Sequence, residues 1–129
     1  MQKSEVESWI KSGPKPELID AAQKFGEIIK NNGLTTSQIR QVFSKLKSIE
    51  AKQYSSHRTE FMMLKPYIAY AAGRQKNVDG LQNFKEKITW GIDSVLNSQD
   101  DYQEEEKRFK NFCTFFEAIL AYHRACGGK

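Results

Sequence analysis

The chain has 129 residues, a net charge of +4 and a pI near 9.0, with 39% hydrophobic and 28% charged residues. That length suits one domain with one real core. With 2 cysteines, 3 prolines and no run approaching the roughly 20 apolar residues of a membrane span, the composition excludes a disulfide scaffold, a low-complexity chain and a membrane-spanning protein.

The opening MQKSEVESWIKSG lacks the apolar stretch of a signal peptide, so a cytoplasmic location is expected. Cys113 and Cys126 have no CxxC partner and read as small buried hydrophobes. Two cysteines and two distant histidines do not make a zinc site, and neither metal nor cofactor is expected. Charge is uneven: residues 1–76 hold 13 Lys/Arg against 7 Asp/Glu, and residues 77–129 hold 7 against 9. A basic half suits a polyanion such as nucleic acid; a solvated surface is the plainer alternative.

In chain order, Val6, Trp9 and Ile10 suggest one short apolar turn before Gly13-Pro14-Lys15-Pro16. Residues 1–16 read as an arm or a short docked helix, and 17–129 as a helical bundle. Leu18, Ala22, Phe25, Ile28 and Ile29 share a first helical face, stopped at Asn31-Asn32-Gly33. Thr35, Thr36 and Ser37 offer caps for a second helix, whose stripe is Ile39, Val42, Phe43, Leu46 and Ile49. A third helix over about Arg58–Arg74 carries Phe61, Leu64, Ile68, Ala71 and Ala72, with Pro66 forcing a kink or a late start. A fourth holds Leu81, Phe84, Ile88, Ile92 and Val95 and breaks at Asn97-Ser98-Gln99-Asp100. The last, about Tyr102–Ala125, turns Phe109, Phe112, Cys113, Phe116, Ile119, Leu120 and His123 inward and stops at Gly127-Gly128. The expected fold is all-α, a single compact bundle of about five helices with a short N-terminal arm.

No phosphate loop, nucleophile elbow or zinc-protease motif occurs, so no enzyme is expected. His57 and His123 are conceivable as an acid–base pair for RNA cleavage, or as partners of a cysteine; His123 on an apolar face reads better as core. The carboxylates at 100–106 read as a solvated helix start that complements the dipole.

The cations of the second helix form two rows. Arg40 and Lys47 flank the apolar stripe on one side, Lys45 and Lys52 on the other, each pair about 10 Å apart along the axis. Such rows can follow a phosphate backbone. Arg58, Lys65 and Lys76 fall near one another on the wheel of the third helix. Its other face, Met63, Tyr67, Tyr70 and Arg74, reads either as a stacking platform for unpaired bases or as a second packed face, with packing preferred. Phe115 and Tyr122, off the main stripe of the last helix, and Trp90 on the far side of the fourth, are candidate protein-contact residues.

Taken in order, LTTSQIRQVFSKLKSIEA, MLKPYIAYAAGR and FKNFCTFFEAILAYHRACGGK resemble the small subunit of the type III-A CRISPR effector, the Csm complex. The resemblance runs from Leu34 to the C-terminus, and residues 1–16 add nothing to it. It implies an all-helical, non-catalytic protein of antiviral defence that stacks head to tail with its own copies. Such a subunit sits beside the backbone subunits and lines the channel for target RNA and the guide–target duplex. It carries an RNA-backbone role onto Arg40, Lys45, Lys47 and Lys52 in the first segment and Lys65 and Arg74 in the second. Arg58 and Lys76 rest on the wheel alone. A purely structural spacer without RNA contact is the alternative. No membrane and no small-molecule substrate is implied.

Overall fold

The helical periods close into seven α-helical segments: α1 (Lys3–Ser12), α2 (Pro16–Asn31), α3 (Thr36–Glu50), α4 (Arg58–Met62), α5 (Leu64–Arg74), α6 (Asp79–Leu96) and α7 (Tyr102–Ala125). A tight helical turn at Tyr54–Ser56 precedes α4. The computed structural model describes residues 1–127, and among these there is no strand. Gly128, read as part of the final stop, and the end of the expected 17–129 bundle lie outside the described residues.

Local chemistry sets the boundaries. Thr35 caps α3, accepting from the Gln38 amide at 3.2 Å while the Gln38 side chain accepts from the Thr35 amide at 3.0 Å. Asp101 caps α7 through the Glu104 amide. Gly33, at φ 97°, supplies the left-handed residue after α2. Pro66 is the third residue of α5, where its missing N–H falls in a first turn that has no intrahelical acceptor. The chain breaks at Met63, so the third sequence helix is two segments. Counted as one bent helix they leave six helices rather than about five, because Lys3–Ser12 is itself a helix.

Helices α1, α2, α3 and α6 gather around α7, and α5 packs on α6 and α3. Phe109, Phe112 and Phe116 form a buried aromatic spine met by Phe61 at 5.2 and 5.3 Å and by Phe84 at 5.6 Å. The α2–α7 contact closes at Gly26, where a Cβ would lie 2.8 Å from the His123 amide nitrogen. His123 is fully buried, with Nε2 2.7 Å from the Leu34 carbonyl oxygen. Its Nδ1 has no hydrogen-bond partner among the described residues.

Several expectations need correcting. Phe115 is not a protein-contact residue on a free surface: it is 0% exposed. The α1 helix lays Val6, Trp9 and Ile10 across α6 and α7, and the Trp9 ring covers Phe115 at 6.3 Å. Trp90 and Tyr122 are only half-buried and rest against the core. Ile28 turns outward, leaving Ile29 to fill the α2 stripe. Glu105 is not solvated; at 3% exposure it accepts from Tyr54 Oη at 2.7 Å, Arg58 Nε at 2.6 Å and Ser98 Oγ at 3.3 Å. The Met63–Tyr70 face is split: Tyr67 is half-buried against the core, as packing requires, whereas Met63 is 58% and Tyr70 66% exposed.

Candidate nucleic-acid interface

The α3 helix buries Ile39, Val42, Leu46 and Ile49 and turns Ser37, Gln41, Ser44 and Ser48 to solvent. The crest is therefore small, polar and uncharged. Arg40 and Lys47 stand on its α7 side, where Lys47 Nζ lies 5.6 Å from the Phe43 ring, itself stacked on Phe116. Lys45 stands on its α5 side, with Nζ 4.7 Å from the centre of the Tyr67 ring. Lys52 follows in the turn beyond α3. Arg40 and Lys47 on one side and Lys45 on the other thus bracket an open ridge, while Lys52, beyond the end of α3, does not continue the second row as a helical position.

The α5 helix runs beside that ridge. Tyr67 Oη donates to Gln41 Oε1 at 3.2 Å, and Gln38 donates to Gln75 at 3.0 Å. Two grooves lie along this seam and share Tyr67 and Tyr70. One is floored by Val42, Ile68 and Phe84 and edged by Arg74; the other runs between Lys45 and Ser48 on one side and Met63 and Pro66 on the other. The Arg74 guanidinium sits 5.7 Å from the Tyr70 ring centre.

The eight cations divide by partner. Arg40, Lys45, Lys52, Arg74 and Lys76 have no carboxylate within salt-bridge distance among the described residues. Lys47 is paired to Glu50 at 2.7 Å, and that hydrogen bond holds its ammonium above the usual lysine range. Lys65 is paired to Asp93 of α6 at 2.6 Å. Arg58 is committed to buried Glu105, which raises its already high pKa further. Arg58, Lys65 and Lys76 therefore do not form one face. Arg58 turns to Glu105 of α7 and Lys65 to Asp93 of α6, and Lys76 lies beyond the end of α5.

The histidines are not brought together. The His57 amide donates to the Tyr54 carbonyl, and Tyr54 stacks on Phe109 at 4.5 Å; His123 lies 14 residues further along α7, about 21 Å away on the axis. Burial, and then nearby Glu50, pushes the Cys113 thiol well above its ordinary value, so it is no thiolate nucleophile. Cys126 Sγ points at the His123 carbonyl oxygen at 3.4 Å rather than at the ring. Among the described residues no cluster of three metal-ligating side chains forms, and no helix is long and apolar enough to cross a membrane.

Sequence reasoning missed Glu105 and Arg108. Glu105 lies four residues before Phe109 and seven before Phe112, so extending the α7 stripe one turn would have found it. Arg108 ties the end of α6, donating to the carbonyls of Ser94 and Asn97 at 3.0 and 2.9 Å. Nothing in local sequence signals that role.

Fold and site together define a class: a small helical protein whose open chemistry is cationic and aromatic. A family model described as Csm2 Type III-A matches residues 13–129, beginning earlier than the segments that carried the resemblance. The CRISPR system Cms protein Csm2 of Enterococcus italicus is 33% identical over 106 residues, covering 74% of this chain and 70% of that protein. No solved structure matches. The chain belongs to the type III-A Csm2 family, the small-subunit family that its segments from Leu34 onward resemble.

Proposed function

We propose that this chain is a non-catalytic, cytoplasmic small subunit of a type III-A CRISPR ribonucleoprotein, acting in antiviral defence. It stacks head to tail with copies of itself beside the other subunits. It holds target RNA and the guide–target duplex by the backbone, without reading sequence. The observation that carries the RNA contact is the α3 ridge: a neutral, small crest beside cations of which Arg40, Lys45 and Lys52 lack carboxylate partners among the described residues. A phosphate chain can lie on such a crest without steric or like-charge opposition. Stacking rests on the family and on the notion that neighbours pool weak contacts.

Polarisation measurements with labelled RNA test this reading. With four phosphate contacts, affinity should fall about 50-fold between 50 and 200 mM salt. The triple variant R40A/K45A/K52A should lose affinity equally for unrelated sequences and flatten the salt slope. Flat salt dependence, or a loss confined to one sequence, contradicts backbone contact. A chain that joins its complex normally yet leaves RNA affinity there unchanged when the triple variant replaces it is a structural spacer.

A further inference from the structure

Within that RNA-backbone reading, and resting on it, we infer that the α3–α5 seam holds an unpaired nucleobase of the bound RNA, stacked on Tyr70, with Lys45 and Arg74 on the flanking phosphates. Tyr70 presents its ring to solvent in the wall shared by both grooves, and Met63 beside it is equally open. A tyrosine and a methionine left this exposed on a folded domain have an apolar partner to gain. A base is the partner that fits the surroundings. The cores of protein interfaces are depleted of lysine and glutamate, yet Lys45 stands over Tyr67 at 4.7 Å and Glu60 lines the same groove; Arg74 stands over Tyr70 at 5.7 Å. Aromatics interleaved with cations are the arrangement that binds single strands: the ring takes a base face and the cation takes the phosphate. The groove between Lys45 and Met63, about 670 Å³, lies within the range of about 300–1,000 Å³ that accepts small ligands. Its other polar groups are the Ser48 and Thr59 hydroxyls and the Glu60 carboxylate. A carboxylate there suits the amino edge of a base better than a phosphate. A paired duplex keeps its base faces stacked, so the seam separates unpaired from paired RNA where the α3 ridge does not.

The test uses the full chain, single-stranded r(A)6 and a six-base-pair RNA duplex. NMR titration detects weak binding. The Met63 methyl and Tyr70 ring protons should shift upfield with r(A)6 and stay in place with the duplex. In polarisation, Y70A should weaken r(A)6 binding by roughly five- to hundredfold. Duplex affinity should stay within twofold and the salt slope should be unchanged, while Y70F retains binding. Equal losses for r(A)6 and duplex, or binding of both without ring-current shifts, would overturn the base site and leave backbone contact standing. Binding of neither RNA would remove both. Loss of self-association in Y70A with RNA binding intact would make the seam a protein interface instead.

Discussion

At the scale of single residues, Glu105 organises the far end of the bundle. It joins the turn at Tyr54, the start of α4 and the α6–α7 connection through three donors. Removing it strands a buried phenol and a guanidinium, so E105A should cost about 2–3 kcal/mol, read as a lowered urea midpoint. R58A should lower stability and leave RNA affinity unchanged, because its charge is already spent on Glu105; a loss of affinity in polarisation would return Arg58 to the RNA face. Burial, reinforced by the Glu105 hydrogen bond, pushes the Tyr54 phenol above its ordinary 10.0, as burial pushes the Cys113 thiol above 9.0. Both groups keep their protons in the folded chain where the unfolded chain sheds them. Stability is therefore full well below pH 9 and falls as pH climbs from the ordinary values toward the raised ones, by about 3 kcal/mol at pH 10.5. Equal urea midpoints at pH 8 and 10.5 would contradict this.

At the scale of elements, close approach and cover matter more than helix propensity. Gly26 lets α2 reach the backbone of α7, and a side chain there must push the helices apart. G26V should destabilise by about 1–3 kcal/mol or more, seen in thermal melting, whereas G73A has open space and should be neutral or slightly stabilising. The α1 helix acts as a lid on the α6–α7 face. W9A should cost about 3–5 kcal/mol and expose the Phe115 ring, measurable as new binding of an apolar dye. The stripes of α3, α6 and α7 were legible from spacing alone, since an amphipathic helix declares its buried side in a 3.6-residue period. The cover over Phe115 was not. A residue off the main stripe reads as surface until a second helix, distant in sequence, is known to lie on it. The wheel that grouped Arg58 with Lys65 could not show that the two turn to carboxylates on different helices, Glu105 of α7 and Asp93 of α6.

For the whole molecule, the two charge regions find different uses. The acidic second half supplies Asp93 and Glu105, which neutralise Lys65 and Arg58, while on α3 Lys47 pairs with Glu50 and Arg40 and Lys45 have no carboxylate in reach among the described residues. Of the eight candidate cations, Arg40, Lys45, Lys52 and Arg74 lie along the ridge and seam with no carboxylate in salt-bridge distance among the described residues, and they are the set that we propose faces RNA. If copies stack on RNA, lengthening the RNA beyond one site should raise apparent affinity as protein is added, and should do so cooperatively. Length-independent affinity per site in polarisation would argue for isolated contacts.

The amino-acid sequence by itself determined an all-helical chain, its caps and breaks, the apolar stripes, the cations flanking the α3 stripe and the family. These follow from local period, from backbone chemistry at helix ends and from residue order, none of which needs a partner distant in the chain. Only the tertiary structure decided which cations stay unpaired, that Phe115 is covered, and that Tyr70 and Met63 are open. Those outcomes depend on which helices lie side by side. A lysine's availability is set by the carboxylate opposite it, and an aromatic's exposure by whatever helix does or does not cross it.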